Sequence, residues 1–212
     1  MAVLVKILGA VQPLAFGRAS RIRGYVRQLA LQLHVADLWQ FEAAAMLSQI
    51  GCITADPEVL KRYYRGEQLS QDKMAHVLSH AHIGAKLLRG VPRLQAVAQM
   101  IQRQDESFGV TTDLSPATQA VALGAQVLRV ALDFDRLALA GRSPDAALAE
   151  MRRNASEYNS DVLSALDRID LAQSDDETET PDDTLTGAPE EQQFRPITDE
   201  VLRGLRSWAR TE

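Results

Sequence analysis

The chain is poor in cysteine and has no long apolar segment, and each shortage excludes a class of protein. Its single cysteine, Cys52, excludes an intramolecular disulfide and is typical of proteins kept in a reducing cytosol. No stretch reaches the roughly 18 uncharged apolar residues that a membrane-spanning helix requires. The apolar segment 1–14 does not resemble a secretion signal, because no basic region precedes it and Lys6 interrupts it. We therefore expect a cytoplasmic protein with no membrane association.

Aromatic residues and runs of β-branched residues are also scarce, and this argues against a β-sheet protein. Only 5% of the 212 residues are aromatic, whereas 46% are hydrophobic, and alanine and leucine dominate. Such a composition favours helices, and the length is sufficient for one domain with a buried core plus an extension. The sequence contains no glycine-rich phosphate loop and no nucleophile elbow. The predicted fold is all-α.

Apolar residues recur at helical spacing along most of the chain, and proline, serine and glycine mark the predicted helix ends. A first helix within 1–14 is expected to end or bend at Pro13. The other predicted helices are 19–33, 37–50, 57–64, 70–90, 92–106, 115–139 and two shorter ones that begin at Ser143 and Tyr158 and end near Ile169. Together they predict a bundle of about seven to nine helices.

Charge is distributed unevenly, because basic residues are absent from 170–191. That segment contains nine acidic side chains, whereas 1–169 contains 19 Lys and Arg against 16 Asp and Glu. The predicted folded part is therefore close to neutral, which argues against nucleic-acid binding. Residues 170–196 have the composition of a disordered acidic linker. Residues 197–212 regain an apolar helical pattern and predict an amphipathic helix that docks on this domain, on a second copy or on a partner.

Several stretches of the predicted helices resemble the HD superfamily of metal-dependent phosphohydrolases, and in particular its HD-GYP branch. They are F-G-R-A-S-R-I-R-G-Y-V (16–26), A-A-M-L-S-Q-I-G-C-I (44–53), S-H-A-H-I-G-A-K-L-L (79–88), A-Q-M-I-Q-R-Q-D-E (98–106) and G-A-Q-V-L-R-V-A-L-D-F-D-R-L (124–137). The resemblance covers about residues 15–169 and implies the helical bundle of that superfamily, preceded by the helix within 1–14. The G-Y-P loop is missing, since Ser-Phe-Gly-Val-Thr-Thr-Asp follows Glu106.

In that family, histidines and aspartates at equivalent positions hold the catalytic metal ions. The resemblance places these positions on Ala19, Ser48, Gln49, His80, Gln104, Asp105 and Leu132. Only His80 keeps the family's ligand, Asp105 is a carboxylate where a histidine is expected, and the others are poor ligands for iron, manganese or zinc. The resemblance therefore implies a vestigial pocket with no catalytic residue and no metal or other cofactor.

The histidines allow two interpretations. His76 and His80 are four residues apart, which places two imidazoles on one helix face, whereas His82 lies on roughly the opposite side. One interpretation is a partial metal site. The favoured interpretation is that His80 is a remnant of the family's ligand set and that the other two are surface residues. His34, at a predicted helix end, is expected to cap carbonyl groups.

Charged residues near the predicted pocket are expected to serve structure. Asp133 and Asp135 lie about 200° apart on a helix and so cannot act as a carboxylate pair. Asp135 matches a structural aspartate of the family and is expected to pair with a helix or loop donor. Of the neighbours Tyr63 and Tyr64, one is expected to pack on the next helix and expose its hydroxyl. A solvated helix face is favoured over phosphate contact for four arginines, Arg18, Arg21, Arg23 and Arg27.

The favoured function is that of a catalytically inactive HD-GYP-like signalling module, because HD-GYP-like domains commonly serve as outputs of bacterial receiver domains. Such a module acts through contact with a protein partner of a signalling pathway, and homodimer formation is left open. One alternative is a sensor that binds a cyclic dinucleotide, such as cyclic di-GMP, without hydrolysing it. A second alternative is a residual metal-dependent phosphodiesterase.

Overall fold

A computed structural model describes residues 1–109 and 115–169, and all regular secondary structure within these ranges is helical. The α-helices are α1 (Ala2–Val11), α2 (Pro13–Gln32), α3 (Leu38–Leu47), α4 (Pro57–Tyr64), α5 (Gln71–Leu78), α6 (His80–Arg89), α7 (Gln95–Gln102), α8 (Pro116–Leu139), α9 (Pro144–Arg153) and α10 (Ser160–Leu166). Short 3₁₀ helices follow at Ile50–Thr54 and Ala155–Glu157. The all-α prediction is confirmed for the described residues. The predicted linker 170–196 and the predicted helix 197–212 lie outside them.

Several helices begin where a polar capping residue, often followed by proline, predicts a start. The Asp56 carboxylate accepts backbone N–H bonds at the start of α4, and the Asn159 side chain does the same at α10. The Ser115 and Ser143 hydroxyls accept from the third residue of α8 and of α9, and proline occupies the first turn of both helices. Ser70 precedes α5 as predicted, but its side chain makes no capping bond.

Several predicted boundaries are wrong, and in each case a local backbone feature explains the difference. Pro13 opens α2 instead of merely ending α1, so α2 begins well before the predicted residue 19. The predicted helix 70–90 is divided at Ser79, whose hydroxyl donates to the His76 carbonyl. The predicted helix 92–106 is shortened to α7, because Arg93 has a positive φ of 68° that a right-handed helix does not allow.

The core lies where α2, α3, α6, α7 and α8 pack against one another. Its largest fully buried side chains include Ile22 and Leu29 from α2, Met100 from α7, and Leu128 and Phe134 from α8. α1 packs on α2, and residues 1–169 form one compact unit. None of the described helices combines the length and the apolar character that crossing a bilayer requires.

Gly51 brings the 3₁₀ helix Ile50–Thr54 against the backbone of α6. A Cβ atom at Gly51 would overlap the His80 carbonyl oxygen and would lie 2.9 Å from the Gly84 backbone nitrogen. A backbone cannot move aside as the end of a flexible side chain can, so only glycine allows this approach. The close approach fixes the start of α6, and with it His80, against the segment that follows α3.

We predict that Gly51→Ala destabilises the protein by about 3 kcal/mol or more, because the added methyl group forces two backbone segments apart. Gly24→Ala is the matched control, since Gly24 lies inside α2 with open space around its Cβ position. Alanine there is expected to add roughly 0.5–1 kcal/mol of stability through helix propensity. Urea unfolding measures both. Similar midpoints for the two variants would contradict the close approach at Gly51.

Candidate functional site

Polar side chains are buried at the ends of two core helices. Ser48 and Gln49 follow α3, and Gln104 lies just beyond α7. The exposed fractions of these residues are 0%, 1% and 1%. Residues of these types are mostly exposed in proteins, and buried polar groups need hydrogen-bond partners. Their partners therefore decide what chemistry this site can perform.

The two residues after α3 are bonded within the fold. The Ser48 hydroxyl donates to the Ala45 carbonyl at 2.8 Å, and the Gln49 amide nitrogen donates to the Ser48 oxygen at 3.3 Å. The Tyr64 hydroxyl donates to the Gln49 amide oxygen at 3.2 Å. Both side chains therefore bond within this corner of the bundle.

Gln104 and His80 form a second pair. The His80 Nδ1 lies 2.9 Å from the Val77 carbonyl oxygen, and a carbonyl only accepts, so Nδ1 carries the proton. In the neutral ring Nε2 is then an acceptor, and the Gln104 amide nitrogen donates to it at 3.2 Å. Among the described residues, the buried Gln104 amide oxygen has no partner. Burial and the charge of Arg18 lower the pKa of His80, which favours this neutral ring.

Arg18 projects from α2 into the same region and is only 9% exposed. Its Nε donates to an Asp135 carboxylate oxygen at 2.9 Å, and Nη2 donates to the Leu132 carbonyl at 3.4 Å. The guanidinium carbon lies 5.4 Å from the centre of the Tyr64 ring. Burial by itself lowers the pKa of Arg18, but Tyr64 and Asp135 outweigh that effect and leave the pKa raised. A permanent cation is therefore present in the pocket.

The structure brings most of the predicted pocket residues together around this cation. Leu132 bonds Arg18 through its carbonyl, Tyr64 connects Arg18 to the Ser48–Gln49 pair, and the Arg18 charge acts on His80 and Asp105. Ala19 is fully buried beside Arg18 and offers only a methyl group. Asp105 is exposed, and its backbone carbonyl accepts from Arg129 at 2.6 Å.

These donors do not fit a two-metal centre. Such a centre needs several anionic or imidazole ligands and a bridging carboxylate. Residues 1–109 and 115–169 contain no group of three or more His, Cys, Asp and Glu side chains that could hold a metal ion. The pocket instead contains neutral amides, a hydroxyl, one imidazole and a guanidinium.

The four arginines of α2 were expected to lie on a solvated helix face. This expectation is wrong for Arg18 and confirmed for the other three. Arg21, Arg23 and Arg27 have side chains that are 45%, 44% and 47% exposed, whereas Arg18 is buried. The available signal was helical phase. Arg18 precedes Ile22 by four residues and Val26 by eight, so it lies on the buried side of α2. The Tyr64 hydroxyl bonds Gln49 inside the fold, so the expected exposed hydroxyl is left to Tyr63.

Three further residues with predicted roles, His34, His76 and Asp135, make contacts that serve the fold. His76 Nε2 lies 3.3 Å from the Thr54 carbonyl, so His76 and His80 have separate partners. His34 has a positive φ of 52° after α2, and the backbone N–H groups of His34 and Val35 cap the last carbonyls of the helix. The cap is therefore made by the backbone. Asp135 pairs with α2 as expected.

A known protein family matches most of the chain. A family model described as the HD domain matches residues 2–162. The match covers more than half of the chain, so the protein belongs to the HD domain family. No curated protein matches the chain. The match begins within α1, so it also includes the helix that precedes the resemblance seen in the sequence.

We predict that His80 makes stability depend on pH. The folded state disfavours the imidazolium because burial lowers its pKa, whereas the unfolded chain protonates near the ordinary value of about 6.5. This contribution is present above about pH 6.5 and is lost as the pH falls through that value toward the lower folded pKa. The free energy of unfolding should therefore fall more steeply between about pH 7 and pH 5 in the wild type than in His80→Gln.

The control for this measurement is His82→Gln, since His82 is exposed on the same helix. It should keep the pH dependence of the wild type. Urea unfolding at a series of pH values measures all three proteins. Parallel curves for the wild type and His80→Gln would show that the imidazole is not held in its neutral form.

Proposed function

We propose that this protein is a catalytically inactive HD domain of the HD-GYP type, which acts in bacterial signal transduction by contacting a protein partner. The observation that carries the proposal is the use of the pocket's polar groups. Ser48, Gln49 and Gln104 occupy positions that resemble the ligand positions of the family, and each forms hydrogen bonds within the fold. A buried guanidinium lies in the same pocket.

Hydrolysis of a phosphodiester by two metals requires ions that lower the pKa of a bound water and neutralise the phosphate. Neutral amides and a hydroxyl do not bind such ions strongly, and one imidazole with one exposed carboxylate does not bridge them. His80 is also a poor general base, because its Nε2 lone pair accepts a hydrogen bond from Gln104. These points support a loss of the family's chemistry.

A domain without catalytic residues can still act by binding another protein. α1 consists almost entirely of apolar residues, yet only Leu8 in it is buried and Val3 is 57% exposed. Exposed apolar surface of this kind is typical of interaction sites. The resemblance to output domains of bacterial receivers makes a signalling protein the preferred partner class.

We predict that the purified protein contains far less than one equivalent of iron, manganese or zinc and does not hydrolyse cyclic di-GMP or bis(p-nitrophenyl) phosphate when these metals are added. Elemental analysis and product chromatography measure the two quantities. His80→Ala and the exposed-site control His82→Ala should behave like the wild type. Stoichiometric metal, with turnover that disappears in His80→Ala and survives in His82→Ala, would overturn the proposal.

Titration calorimetry with cyclic di-GMP separates the contact function from ligand sensing. We expect no heat of binding at micromolar concentrations. Micromolar binding without turnover would replace the proposal with the sensor alternative.

Partner contact is tested with a photo-crosslinking residue at Val3 in the bacterial cell, and Gln102 on α7 is the exposed polar control. We expect a crosslinked signalling protein from position 3 only. The same products from both positions would contradict a contact surface on α1.

A further inference from the structure

We propose that Arg18 serves as a built-in cation that takes over the structural role of the family's metal ions at the centre of the bundle. This inference deepens the proposed function and rests on it in one respect, namely that the pocket holds no metal. It assigns Arg18 a role that the sequence pattern did not suggest. Three observations carry the inference: the helices that Arg18 joins, the charge that it neutralises, and its place among the positions that resemble the family's metal ligands.

The contacts of Arg18 join separate helices. The residue belongs to α2, and its guanidinium bonds Asp135 and the Leu132 carbonyl on α8. The same group lies over the ring of Tyr64, the last residue of α4. Tyr64 in turn donates to Gln49 after α3. A planar guanidinium with several fixed donors suits this task, because it bonds partners in several directions at once, as a metal ion does with its ligands.

The negative charge that Arg18 neutralises is deeply buried. Asp135 is 1% exposed, and a buried carboxylate is strongly destabilising unless a cation pairs with it. Arg21 also bonds Asp135 at 2.9 Å, but its side chain is 45% exposed and its attraction is weakened by solvent. Arg18 is therefore the partner on which the charge of Asp135 depends.

The guanidinium of Arg18 also lies among positions that resemble the family's metal ligands. It donates to the Leu132 carbonyl, and the Tyr64 ring beneath it connects it to Gln49. Like charges repel, so this guanidinium opposes a divalent ion at the same positions. The same side chain therefore supplies a cation to the bundle and disfavours the cations that it replaces.

The test is thermal unfolding of the full chain. We expect Arg18→Met to lower the Tm by roughly 10 °C, because it leaves the Asp135 charge buried with only a solvent-exposed partner. The matched control Arg21→Met removes the other arginine from the same carboxylate and is expected to lower the Tm by about 2 °C or less. Arg18→Met combined with Asp135→Asn should unfold at a higher temperature than Arg18→Met alone, because no unpaired charge remains.

The same measurement on the wild type tests replacement of the metal. A divalent ion present at about a hundredfold excess over its Kd would raise the Tm by roughly 5–10 °C. We expect EDTA, Mn²⁺, Fe²⁺ and Zn²⁺ each to change the Tm by about 1 °C or less.

The outcomes distinguish this inference from the proposed function. Equal Tm losses in Arg18→Met and Arg21→Met would overturn the role of Arg18 and leave the proposed function intact. A metal-dependent rise of the wild-type Tm would contradict the metal-free pocket and with it the proposed function. If Arg18→Met does not fold, the double variant decides the matter. Recovery of folded protein supports the inference, and failure of the double variant to exceed Arg18→Met contradicts it.

Discussion

Asp135 carries a charge inside the bundle, and the need to pair that charge constrains the architecture around it. Arg18 meets the need from α2, and this pairing joins the two longest described helices at the level of the pocket. Removing Asp135 leaves the buried Arg18 without its anion, and removing Arg18 leaves Asp135 paired only with the half-exposed Arg21. Both changes are more costly than the loss of a surface salt bridge. The Tyr64 ring lies against this guanidinium, and the Tyr64 hydroxyl bonds Gln49.

The rest of the pocket is consistent with a closed polar interior. Ser48, Gln49, His80 and Gln104 bond one another or nearby carbonyls, and within this group of four the buried Gln104 amide oxygen has no partner. Networks of this kind rigidify a core when their members are satisfied. The use of these polar groups within the fold is the physical argument for the proposed contact function.

Much of the fold could be predicted because its signals are local. Asp56 with Pro57, Ser115 with Pro116 and Ser143 with Pro144 mark helix starts by the chemistry of adjacent residues. The burial of Arg18, in contrast, depends on packing between helices. The phase of Arg18 with Ile22 and Val26 was visible in the sequence, but an arginine in an apolar stripe is understood only when its distant partner is known.

By itself the sequence determined that the chain is helical, where most helices start, and which side chain stands at each position that resembles a metal ligand. Periodicity, capping and residue identity are properties of short segments, so no neighbour in space is required to recognise them. Only the tertiary structure decided that a cation lies inside the pocket and that Gln104 pairs with His80. Arg18 and Asp135 are 117 residues apart in sequence, and His80 and Gln104 are 24 apart. Bonds over such separations exist only after the helices have packed, which is why no local pattern encodes them.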